Sequence, residues 1–139
     1  MINSWIVTLI FCTLSCGCSK QTSPTEPEPQ GIYGSWNWVK SVGGIAGLTI
    51  TPAAAGYTER LVLKSDNNCE SYRNDTLVAT TQFTIRREVT LFSLDSVDVI
   101  HYADTNRFMK QIISVIGSDT LGLIDLCYDC FGHTYMRTQ

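Results

Sequence analysis

Apolar residues recur at every second position along much of this chain, and turn-forming residues interrupt them at short intervals. Leu61-x-Leu63 and Phe83-x-Ile85 alternate cleanly, with Gln82, Thr84 and Arg86 on the opposite parity. A spacing of two sends side chains to alternate faces of a strand, so one face buries and the other meets water. Thr, Val, Ile, Tyr and Phe dominate these stretches, and the 3.6-residue period of a helix is almost absent. The pattern reads as strands over 33–40, 57–64, 69–73, 77–86, 89–94, 97–102, 108–116, 120–127 and 133–137. Turn chemistry separates them at Ser65-Asp66-Asn67-Asn68, Asn74-Asp75, Asp95-Ser96, Asp104-Thr105-Asn106 and Gly117-Ser118-Asp119. Short strands joined in order by short turns predict an all-β fold. The expected form is an antiparallel up-and-down β-barrel of eight or nine strands, because closure removes exposed edges.

One connection breaks this rhythm. Residues 43–56 are rich in Gly and Ala and carry Ile45, Leu48 and Ile50. Loops of this length in small domains are often functional or mobile. Exposed isoleucines are costly, so the three side chains are expected to pack against one barrel end as a plug. The competing reading is a loop that folds over one barrel mouth.

The amino-terminal part has a different logic. Its first nineteen residues carry no charged side chain. An apolar stretch from Trp5 to Leu14 runs into Ser15-Cys16-Gly17-Cys18-Ser19-Lys20. The stretch is short for a bilayer span, which needs about 20 apolar residues. A cleaved secretory segment over 1–17 is expected, with Cys18 acylated as the new amino terminus. Cys16 is the competing acylation site, and a plain secretory peptide is the simpler alternative. Acyl chains anchor a protein to a leaflet without spanning it, each buried CH₂ contributing about 0.8 kcal/mol. Residues 18–30 hold Pro24, Pro27 and Pro29 and no large apolar side chain. Such a segment cannot bury enough surface to fold, so it reads as an extended, disordered linker. Residues 31–139 have the length of one small domain. The formal net charge is −3 and the ten basic residues are scattered, which argues against a nucleic-acid partner.

The two ends of this domain carry a family resemblance. Gly34-Ser35-Trp36-Asn37-Trp38-Val39-Lys40-Ser41-Val42-Gly43-Gly44-Ile45-Ala46-Gly47, followed by Thr51-Pro52, resembles the start of small lipocalin-like lipoproteins of Gram-negative bacteria. The segment Asp119-Thr120-Leu121-Gly122-Leu123-Ile124-Asp125-Leu126-Cys127-Tyr128-Asp129-Cys130-Phe131-Gly132-His133-Thr134-Tyr135-Met136-Arg137 resembles that group's closing hairpin. Cys130 stands where the group tends to have Gly. The resemblance implies a lipocalin-like barrel in the cell envelope, held by a lipid anchor at the outer membrane, and says little about activity. It also implies that Trp36 of the first strand meets Arg137 of the last. That contact would close the barrel and is structural.

Cys127-x-x-Cys130-x-x-His133 is the sharpest local constellation. A zinc site would need both thiolates, His133 and a fourth ligand such as Cys69 or His101, yet only one such knuckle is present. The C-x-x-C pair lies in a predicted β-turn, not at a helix start, so redox chemistry is disfavoured. A structural disulfide among Cys69, Cys127 and Cys130 is the expected use in an oxidising compartment, with one thiol left over. The three pairings stay open, and no metal or other cofactor is expected. His133 is expected as a cross-strand polar partner of Asp125 or Tyr135. No strained nucleophile motif accompanies it, so the domain is expected to be non-catalytic. Two functions are then in play. One is a carrier of a small hydrophobic ligand, lined by Trp38, Tyr57, Phe83 and Phe92. The other is an envelope protein that docks another protein, with its barrel filled by its own side chains.

Overall fold

A computed structural model describes residues 31–116 and 119–138. The expected signal segment 1–17, the acylation sites Cys16 and Cys18, the linker 18–30 and the turn residues Gly117-Ser118 lie outside these. The described chain forms nine strands and one short helix. In order they are β1 (Gly34–Gly43), β2 (Leu48–Ile50), α1 (Pro52–Ala55), β3 (Glu59–Leu63), β4 (Asn68–Arg73), β5 (Thr76–Thr90), β6 (Ser93–Tyr102), β7 (Gln111–Ile116), β8 (Thr120–Asp125) and β9 (Phe131–Arg137).

Every pairing is antiparallel between neighbours, and β1 pairs with β9 to close the sheet on itself. The result is an eight-stranded up-and-down barrel of lipocalin-like architecture, with β2 added beside the end of β1. Local chemistry sets the turns. Arg73 pairs with Thr76 across Asn74-Asp75, and both turn residues have positive φ (47° and 60°). That is the backbone of a tight hairpin whose twist matches its strands, and Asn and Asp tolerate it.

Inward-facing positions build the core: Trp36, Leu61, Leu63, Cys69, Phe83, Ile100, Leu121 and Leu123 are buried, with Trp38, Tyr102 and Tyr135 beside them. Each large apolar side chain withdrawn from water contributes about 1.5–3 kcal/mol. At the end where β3 and β9 finish, the barrel is tied shut. The Arg137 guanidinium lies 4.1 Å from the Trp36 ring centroid. It donates to the carbonyls of Tyr33 and Gly31, both at 2.8 Å. The Trp36 indole N–H donates to the Ile32 carbonyl at 2.8 Å, and Thr138 N–H donates to the Ser35 carbonyl at 2.9 Å. Gly34 has φ +143°, and a β-carbon there would collide with the Arg137 guanidinium. The glycine therefore makes room for the clasp.

Several sequence expectations are corrected. The segment after β1 is not a plug. Leu48–Ile50 turns back as β2, and Thr51 caps α1 by accepting from Ala54 N–H at 3.3 Å. Ile45 is 92% exposed and Leu48 is 55% exposed; only Ile50 packs on the core. Tight β1–β2 pairing holds Ile45 out in the turn. The Asp95-Ser96 turn does not exist either. Strand β5 runs unbroken through Arg86-Arg87-Glu88 to Thr90, the hairpin reverses at Leu91-Phe92, and Asp95 and Ser96 lie inside β6. Ile85 is exposed despite sharing parity with the buried Phe83. Beyond Phe83, strand β5 has left β4 and pairs with β6 alone, so neither of its faces meets the main core.

Candidate functional site

Strands β3 and β7 begin, and β4 and β8 end, around one rim of the barrel. There the inward parity that carries leucines deeper down carries Glu59, Arg73, Gln111, Asp125 and His133. These polar side chains stand above Leu61, Leu123, Tyr102 and Tyr135 and enclose an open cavity of about 440 Å³. The loop between β6 and β7 adds Arg107 and Phe108 to one wall. Tyr102 and Phe108 stack there with ring centroids 4.9 Å apart. The barrel is thus filled at its clasped end and hollow at this one.

A hydrogen-bond chain crosses the rim. The Trp38 indole N–H donates to Ser41 Oγ at 2.9 Å. Ser41 Oγ lies 2.7 Å from His133 Nδ1, and His133 Nε2 lies 3.2 Å from Asp125 Oδ2. Gln111 Nε2 donates to Asp125 Oδ1 at 2.8 Å, and the Tyr102 hydroxyl donates to Gln111 Oε1 at 3.1 Å. Donor directions fix the neutral tautomer. A carboxylate only accepts, so Nε2 carries the proton towards Asp125, and Nδ1 accepts from the Ser41 hydroxyl. Burial alone would raise the Asp125 carboxyl pKa. The hydrogen bonds from His133 and Gln111 outweigh burial and hold it below the ordinary carboxylate value.

The Ser41–His133–Asp125 order has the connectivity of a nucleophile, base and orienting acid. Ser41 is only 5% exposed and does not border the cavity, and its oxygen is already engaged by Trp38. The chain positions an imidazole and a carboxylate on the cavity wall; it does not present a nucleophile to it. Ser41 escaped the sequence reading because the register slips between Trp38 and Lys40 where β1 pairs with β9. This bulge switches the inward parity from even to odd positions. A small polar residue three positions after an inward Trp carries no other signal.

The residues expected to line a ligand site are elsewhere. Trp38 and Tyr57 stack on each other with centroids 5.8 Å apart, and the Arg73 guanidinium lies 4.2 Å from the Tyr57 ring. Neither borders the 440 Å³ cavity. Phe83 is core, and it also borders a second depression of about 360 Å³ beside Arg86, His101 and Lys110. Phe92 is 45% exposed in the β5–β6 turn and meets the Tyr128 ring edge-on at 5.4 Å. It cannot line the interior because the turn is formed by Phe92 itself.

Cys127 and Cys130 are disulfide-bonded, with Cα atoms 5.5 Å apart, and Cys69 is a free, buried thiol. The bond clips the β8–β9 turn, where Asp129 adopts φ 56°. Both sulfurs being used, the C-x-x-C-x-x-H zinc arrangement is not formed. Among the described residues no group of three or more His, Cys, Asp or Glu side chains could hold a metal ion. Burial, with a smaller contribution from the Glu70 charge, pushes the Cys69 thiol up to about 12. No family model, no curated protein and no solved structure matches this chain.

Proposed function

We propose that this chain is a lipid-anchored lipoprotein of the cell envelope, held through Cys18, whose non-catalytic barrel takes a small amphipathic ligand into its open rim. The observation that carries the reading is the division of the barrel interior. One end is packed with Trp36, Leu63, Phe83 and Leu121, while the other leaves about 440 Å³ between an apolar floor and polar walls. Small-molecule sites are commonly concave spaces of 300–1,000 Å³ in which a few placed polar groups orient an apolar body. A long acyl chain would need the space that the core side chains occupy, so the ligand is a compact one. The amino-terminal pattern ending in Gly17-Cys18-Ser19 supports the anchor.

Two measurements test this. Cells given a radiolabelled fatty acid should label the wild-type protein and not Cys18→Ala; unchanged labelling moves the anchor to Cys16. Titration calorimetry of the purified full-length protein against a panel of compact aromatic and alicyclic compounds should find saturable binding that Leu123→Trp abolishes. Absence of any saturable ligand would remove the carrier reading.

A second reading has its own support. Val89, Leu91 and Leu94 are exposed around the β5–β6 turn, next to the Phe92–Tyr128 pair. Exposed apolar groups gathered on one hairpin favour a docked envelope protein. A photo-crosslinking residue at position 91 should then capture a specific partner in intact cells.

A further inference from the structure

We infer that the rim cavity selects a small organic cation, an amine with an apolar body, using Asp125 as its counter-charge. The inference rests on the ligand-binding reading above and names the ligand class of that same site. It starts from the charges that face the cavity. Arg73 is held by Glu59 at 2.8 Å and covers the Tyr57 ring. Arg107 donates to the Val78 carbonyl at 2.7 Å and lies 4.0 Å from the Asp104 carboxylate. Each guanidinium thus has its own acidic neighbour. Asp125 has none of opposite fixed charge: its partners are the Gln111 amide, the His133 ring in its neutral tautomer and the Phe131 backbone N–H, all donating. Its side chain is 13% exposed, and a carboxylate with about four acceptor sites has room beyond the three bonds it receives. The wall therefore offers one partly desolvated negative charge with acceptor capacity left.

A second, independent feature points into the same space. Tyr135 is only 8% exposed and borders the cavity, yet no protein group bonds its hydroxyl among the described residues. The oxygen is not sealed from solvent but opens onto the cavity, where a ligand can reach it. An ammonium group in this space would have the Asp125 carboxylate as counter-charge and the Tyr135 oxygen as a further acceptor. The floor suits the remainder of such a ligand, since Tyr102 and Phe108 present stacked aromatic faces and Leu61 and Leu123 present aliphatic surface. A carboxylate-bearing ligand would bring like charge against Asp125 in a region where Coulomb terms are stronger than in water.

Three near-isosteric compounds test the charge requirement on the full-length protein by titration calorimetry at pH 7.5: 2-phenylethylamine, 2-phenylethanol and phenylacetate. The expected order has the amine about tenfold or more tighter than the alcohol, with the acid weakest. Asp125→Asn should bring the amine-to-alcohol ratio within about twofold of one. Tyr135→Phe, which removes only the hydroxyl, should weaken the amine about threefold, and it carries the test should Asp125→Asn fail to fold. Equal affinity of amine and alcohol, tighter binding of the acid, or an amine affinity indifferent to Tyr135→Phe would overturn the cation inference while the cavity still binds. Failure of all three compounds to bind saturably would overturn the ligand-binding reading with it.

Discussion

Replacing Arg137 by alanine removes the clasp at the filled end of the barrel, and its cost follows from the contacts. A guanidinium stacked on an indole contributes about 0.5–2 kcal/mol. Here it lies 4.1 Å from the centroid of a Trp36 side chain that is fully buried, so its loss also opens that ring face. Two further hydrogen bonds run to the carbonyls of Tyr33 and Gly31. Bonds from a charged donor contribute about 1.5–3 kcal/mol when dry and less where water reaches them, as it does here. A total near 2–4 kcal/mol is expected. For a domain of this size each kcal/mol moves the midpoint by roughly 4 °C, so Tm should fall by about 8–16 °C. Thermal unfolding followed by far-UV circular dichroism measures it. Arg137→Lys keeps the charge but lacks the planar fork that reaches both carbonyls, and should fall between the two. A midpoint for Arg137→Ala within about 2 °C of wild type would refute the clasp as a source of stability.

Three other outcomes follow from the same structure. Cys69 should resist iodoacetamide in the native protein and be alkylated only after denaturation, as peptide mass spectrometry would show; native-state labelling would contradict its burial and raised pKa. Asp125 titrates below its ordinary value when folded, so its stabilisation is full above about pH 4 and is lost as pH falls through the folded value. The melting-temperature gap between wild type and Asp125→Asn should therefore be widest at neutral pH and close in acid; a gap that widens below pH 4 would reverse the sign. Gly43→Ala drives a β-carbon into the Cys130 carbonyl and to 2.7 Å from Phe131 Cα, and should cost about 1–3 kcal/mol in urea unfolding; an unshifted midpoint would show that the turn yields.

The barrel was legible in the chain because its evidence is local. Alternation at Leu61 and Leu63, and the Asn74-Asp75 turn, each involve residues a few positions apart, and strand period and turn chemistry act at that range. The contact between Trp36 and Arg137 was reachable only through the resemblance of the chain's two ends, since nothing near either residue specifies the other. The β5–β6 hairpin was misread for a physical reason. Asp95 and Ser96 are common in turns, yet here they face solvent on a strand paired on its β5 side. The true reversal at Leu91-Phe92 uses residues that rarely mark one. The rim site was the least visible. Asp125, Gln111 and His133 come from three strands, and Ser41 joins them only after a one-residue bulge. The His133–Asp125 contact lies within one hairpin and was within reach of pairing, whereas Gln111 and Ser41 join it only through barrel closure.

Gly31 is bonded to Arg137 at the packed pole of the barrel, whereas the hollow lies at the pole where β8 ends and β9 begins. The mouth and the clasp thus occupy opposite poles, so loosening the Arg137 seal leaves the side chains around the hollow in place.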